Sequence, residues 1–166
     1  MKTLTIAAVM LALFATTAAN AQARRPHDDQ KQKSDQKPKV DEKAYKAALD
    51  GKSEVPPTTS SGTGTASVTY DSSTKMVTWQ GSFSGLSGPA TAAHIHGPAE
   101  AGKNAGVIVP LSQKDVPFTS PFTGSATLAD DKAAALEAAL SSGQAYVNVH
   151  TAANPGGEVR GQLGKA

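Results

Sequence analysis

The strongest constraint on this chain is a two-residue alternation of apolar and polar side chains, running in short segments from Ala44 onward. In "TASVTY" the alternation puts Ala66, Val68 and Tyr70 on one face; in "MVTWQGSF" it puts Val77, Trp79 and Phe83 on one face, with Thr78, Gln80 and Ser82 opposite. "PPTTSSGTG", "YDSSTK", "SGLSGP" and "NPGG" punctuate these segments with turn-forming residues. Short alternating segments with frequent turns predict an all-β fold, an antiparallel Greek-key-like β-sandwich, from about Ala44 to Leu163. One segment departs from the rule. "LADDKAAALEAALSSG" spaces Ala133, Leu136 and Leu140 at helical intervals, opens on Asp130 and Asp131 and ends on Gly143, which predicts one short helix over 130–142. About 120 residues in this arrangement bury a self-sufficient core. They must, because the chain has no cysteine to staple it.

The first 43 residues have a different composition. Met1-Lys2 carries a positive charge, Leu4 to Ala15 is apolar, and Ala19-Asn20-Ala21 is a small-residue cleavage pattern, so residues 1–21 read as a secretory signal peptide. The apolar run falls short of the roughly 20 residues that span a bilayer, and the mature chain is expected to carry no transmembrane anchor. Residues 22–43 are rich in Lys, Arg, Asp, Gln and Pro with almost no apolar residue, as in a disordered charged tether. From Arg24 to Lys43 there are seven basic and five acidic residues, whereas Ala44 to Ala166 carries eight basic and nine acidic ones. The basic pI belongs to the tether, and the 44–166 domain has no charge excess of the kind nucleic acid requires. The expected setting is periplasmic or extracellular, with an unidentified protein or polymer as partner.

Common catalytic signatures are missing: no cysteine nucleophile, no G-x-S-x-G elbow, no phosphate-cradling glycine loop and no helical His-Glu-x-x-His. Asp71, Asp130 and Asp131 read as turn and cap residues. The chemistry lies in the histidines. "TAAHIHG" sends Ala93 and Ile95 to one face and His94 and His96 to the other; "QAYVNVHTA" groups Ala145, Val147, Val149 and Thr151, leaving Tyr146, Asn148 and His150 opposite. In "GEVRGQL", Val159 and Leu163 point inward while Glu158, Arg160 and Gln162 point the other way. An antiparallel sheet with one wet face would show such polar rows whatever it does. Alternatively, His94 and His96 at i and i+2, joined by His150 from a neighbouring strand, form the three-ligand set of an open metal site for copper or zinc. A third possibility is that His96 or His150 bonds backbone at the turns and anchors the rim. Glu158, Arg160 and Asn148 are candidates for orienting the ligands, a carboxylate fixing a tautomer by accepting an imidazole N–H. Uptake by unperturbed imidazoles would fall as pH drops through about 6.5.

"LSGPATAAHIHGPAEAGKNAGVIVPL", then "GQAYVNVHTAANPGGEVRGQL", resembles the chordin-type repeat known as the CHRD domain, and "ALDGKSEVPPTTSSGTGTASVTY" resembles its opening. The resemblance covers about Ala44 to Leu163, with His94, His96, His150, Glu158 and Arg160 at its motif positions. It implies an extracellular β domain and leaves the activity of bacterial members open. In part the chain is also similar to the copper-zinc superoxide dismutases, through a strand ending His-x-His in an exported all-β chain. Those enzymes use further histidines, an aspartate and a disulfide; here the domain offers three histidines, and His27 lies in the tether. The expectation is an exported non-catalytic binding or structural module whose histidine face takes a transition metal. The alternative is a copper or zinc metalloprotein with dismutase-like redox chemistry.

Overall fold

The computed structural model describes residues 41–113, 116 and 118–166. The segments read as signal peptide and tether lie outside them, apart from the tether's last residues. Of these, Glu42 and Lys43 belong to the first strand.

The strands are β1 (Glu42–Asp50), β2 (Thr63–Asp71), β3 (Met76–Ser84), β4 (Ala90–His96), β5 (Val107–Pro110), β6 (Phe122–Thr127), β7 (Tyr146–Thr151), β8 (Val159–Gln162) and β9 (Gly164–Lys165), with one helix, α1 (Asp130–Ser141), between β6 and β7. All pairings are antiparallel, in the order β5-β4-β7-β8-β1-β2-β3-β6, with β9 beside β1. The all-β antiparallel class with a single short helix is as the alternation predicts. The two layers of the sandwich are one curled sheet, a half-barrel. They join through a single β1–β8 pairing, Asp50 with Arg160. At this corner a Cβ on Gly161 would stand 2.0 Å from the Ala48 carbonyl oxygen, so only glycine lets the two strands approach so closely.

The predicted inward faces are the core. Ala66, Val68, Tyr70, Val77, Ala93, Ile95, Val147, Val149, Val159 and Leu163 are buried, and Ala133, Leu136 and Leu140 of α1 pack among them. Each fully buried Val, Leu or Ile contributes about 1.5–3 kcal/mol of transfer free energy, which suits a fold without disulfides. Trp79 and Phe83 are only partly buried. Asp71 closes the β2–β3 turn as its sequence setting suggests: its carboxylate accepts from the Ser73 N–H at 2.9 Å and the Thr74 hydroxyl at 2.8 Å, while Lys75 adopts φ 56°. The N-cap of α1 is Ala129, without a side-chain cap. Asp130 and Asp131 instead occupy the first turn, where carboxylates favour the positive end of the helix dipole. Asp130 also pairs with Lys75.

The second face of β4, β7 and β8 departs from the wet-face expectation. Tyr146, Asn148, His150 and Arg160 are all buried, and His94 alone of the three histidines is half-exposed. The reason lies in the loops. Those after β1 and β4 roof this face and tie to each other through Asn104, whose amide donates to the Val55 carbonyl at 2.9 Å. They convert a polar strand face into a buried polar compartment.

Candidate metal centre

β4 and β7 pair in a register that sets His94 opposite Asn148, Ala92 opposite His150 and His96 opposite Tyr146. Strand alternation then projects all three imidazoles to one side. One nitrogen from each of His94, His96 and His150 lies within 4.8 Å of the other two. A cation about 2.0–2.1 Å from each nitrogen needs them roughly 3.4 Å apart, so an adjustment of up to about 1.4 Å would bring the three within reach of one ion.

On two of the three rings one nitrogen is already committed. His96 Nδ1 lies 2.9 Å from the Ala105 carbonyl oxygen and His150 Nδ1 lies 2.9 Å from that of Pro155. A carbonyl only accepts, so each Nδ1 carries the proton and each Nε2 keeps a lone pair. The His96 Nε2 is buried with no hydrogen-bond partner. The His150 Nε2 lies 3.0 Å from His94 Nδ1, and the two share one proton in a neutral pair. A shift of that proton to the His94 Nε2 would free a third lone pair.

His96 is further held by packing. Its ring stacks on Tyr146 at 4.9 Å and 5°, and the Arg160 guanidinium lies on the Tyr146 ring, 3.4 Å from its centroid. Arg160 also donates to the Lys103 carbonyl at 2.8 Å and to Asn104 Oδ1 at 3.1 Å. It thereby positions the loop that presents the Ala105 carbonyl to His96. Burial, then the neighbouring His150 and His96, pushes His94 down to about 4. Burial also lowers His96 and His150, opposed in each by the carbonyl contact. All three are neutral imidazoles at pH 7.

Glu158 and Arg160, candidates from the sequence, are 0% and 1% exposed. Solvated surface is therefore excluded for both. Among the described residues, the Glu158 carboxylate bonds to no imidazole. It accepts instead from Ser60 Oγ at 2.6 Å, the Ser87 N–H at 2.6 Å, Ser87 Oγ and Thr151 Oγ1 at 2.5 Å each, and Asn154 Nδ2 at 3.1 Å. Its role is to pin the loops at the end of the sheet; backbone carbonyls fix the tautomers. Asn148 Nδ2 donates to the Gly156 carbonyl at 3.4 Å, leaving Oδ1 without a partner. Sequence reasoning missed the carbonyls of Ala105 and Pro155, which have no side-chain signature. It also missed Glu54, a buried loop residue with an unpartnered Oε1.

No curated protein and no solved structure matches the chain. The family model of the CHRD domain matches residues 45–163, from Tyr45 in β1 to Leu163 just beyond β8, a span that contains the whole histidine cluster. This chain belongs to the CHRD domain family.

Proposed function

We propose that the domain is an exported, non-catalytic binding module organised round one transition-metal centre, with His94, His96 and His150 as ligands to zinc or copper. The observation that carries this is the pairing of free and committed nitrogens. At His96 and His150 one nitrogen faces a backbone carbonyl, His150 Nε2 meets His94 Nδ1 at 3.0 Å, and one nitrogen of each of the three imidazoles lies within 4.8 Å of the other two. When bound, zinc or copper would supply a Lewis-acidic point with an open position. The chain supplies the orientation, through Ala105, Pro155 and the Arg160–Tyr146 stack. Export is proposed from the leader pattern of residues 1–21; no helix among the described residues is long and apolar enough to cross a membrane. Dismutase chemistry on a bridged metal pair would need a second donor set, and the described residues hold one.

Calorimetric titration of tag-free, metal-stripped protein with Zn²⁺ and Cu²⁺ should show one equivalent taken up. The pH profile should differ from that of free imidazole. Because the three pKa values are lowered, with His94 at about 4, affinity should persist below pH 6.5 and fall steeply only as the pH approaches the lowered values. Absence of uptake at pH 7 would remove the centre.

A further inference from the structure

The buried compartment carries an uneven charge. Among the described residues, apart from Asp71 in the β2–β3 turn, the buried acidic and basic side chains other than histidine are Glu54, Glu158 and Arg160. Two carboxylates thus face one guanidinium, and the neutral imidazoles add nothing. Glu158 is provided for by its hydroxyl, backbone and amide donors. Glu54 is not. Its Oε2 accepts one bond, from the Val55 N–H at 3.3 Å, and its Oε1 has no partner.

The location of Oε1 is informative. A Cβ built on Gly157 would stand 2.1 Å from Glu54 Oε1 and 2.8 Å from Asn148 Nδ2, so the carboxylate lies beside Asn148. Asn148 in turn sits between His94 on β4 and Arg160 on β8. The other charges near Glu54 do not neutralise it by contact. No ion pair among the described residues includes Glu54, Arg160 or Glu158. Arg160 spends its donors on Lys103, Asn104 and Gln162 and its face on Tyr146. Lys52, the remaining cation, shares with Glu54 and Arg160 the lining of a cavity of about 330 Å³ on the loop side and is exposed.

We propose that Glu54 is the charge-compensating positioning residue of the histidine centre, so that the protein favours a divalent over a monovalent cation. The proposal rests on the three-histidine reading and adds a residue and a charge selectivity to it. In a medium of low effective dielectric, a carboxylate lacking a counter-ion interacts with a cation held beyond the neighbouring Asn148, which pairs with His94 on β4. Burial raises the Glu54 pKa, opposed by the Val55 N–H, Arg160 and the Asn148 amide.

Coulomb energy scales with the charge of the cation, and this separates an electrostatic role from a structural one. Competition titrations with chelators for Zn²⁺ and Cu⁺ should show Glu54→Gln weakening zinc by about tenfold and cuprous ion by about threefold, the square root of the first. Glu54→Asp, which keeps the charge, should stay within about twofold of wild type for both. Equal losses for the two ions, or no loss, would overturn the proposal. Wild type that binds neither ion would instead remove the centre itself, and the proposal with it. Should Glu54→Gln not fold, the reduction potential of copper in the wild type decides. It should lie below that of a neutral tris-imidazole copper complex at the same pH; an equal or higher potential overturns the assignment.

Discussion

Replacing Glu158 with alanine should destabilise the domain by about 3 kcal/mol or more in urea unfolding, the largest single effect outside the apolar core. The side chain is fully buried, and its removal strands donors from three separate segments: Ser60, Ser87, and Thr151 with Asn154. The same carboxylate predicts an acid transition. Burial alone would raise its pKa; the hydrogen bonds from Ser60, Ser87 and Thr151 outweigh that and hold it at about 2, below the ordinary 4.5. A depressed pKa means stability that is complete above about pH 4.5 and lost as the pH falls towards 2, about 3 kcal/mol by linkage. Glu158→Gln should flatten this acid limb. A Glu158→Ala protein as stable as wild type, or an acid limb unchanged in Glu158→Gln, would show that the loops are held by other means.

His150→Ala should lower zinc affinity at least a hundredfold, since it removes one of three ligands together with the partner that shares the His94 proton. Thermal unfolding gives an independent check. A metal bound only by the folded state stabilises it by about 2.7 kcal/mol at a hundred times the dissociation constant, so zinc should raise the melting temperature of wild type and leave His150→Ala unmoved. An equal zinc-induced rise in both would place the metal elsewhere.

Alternation made much of this legible in advance. It separated His94 and His96 from Ala93 and Ile95, and Asn148 and His150 from Val147 and Val149, because side-chain direction on a strand depends only on parity. Parity says nothing of what covers a face. The expectation of a wet surface failed at Tyr146, Asn148 and Arg160 because two loops without periodicity fold over them. For the same reason Glu54, inside "KSEVPP", carried no sign of its burial. Glu158 is expected from the sequence to accept an imidazole N–H; its partners are instead hydroxyls, a backbone N–H and an amide. The turn-anchor reading of His96 and His150 does not exclude the metal reading. An imidazole has two nitrogens, and at His96 and His150 one faces a backbone carbonyl while the other does not.

The most direct test is X-ray absorption at the zinc or copper edge of the loaded, tag-free protein. Three imidazole nitrogens at about 2.0 Å, with a light atom such as a water oxygen in any remaining position, is the predicted first shell. A shell with fewer than three imidazoles, or one unchanged in His96→Ala, would contradict a centre built from His94, His96 and His150.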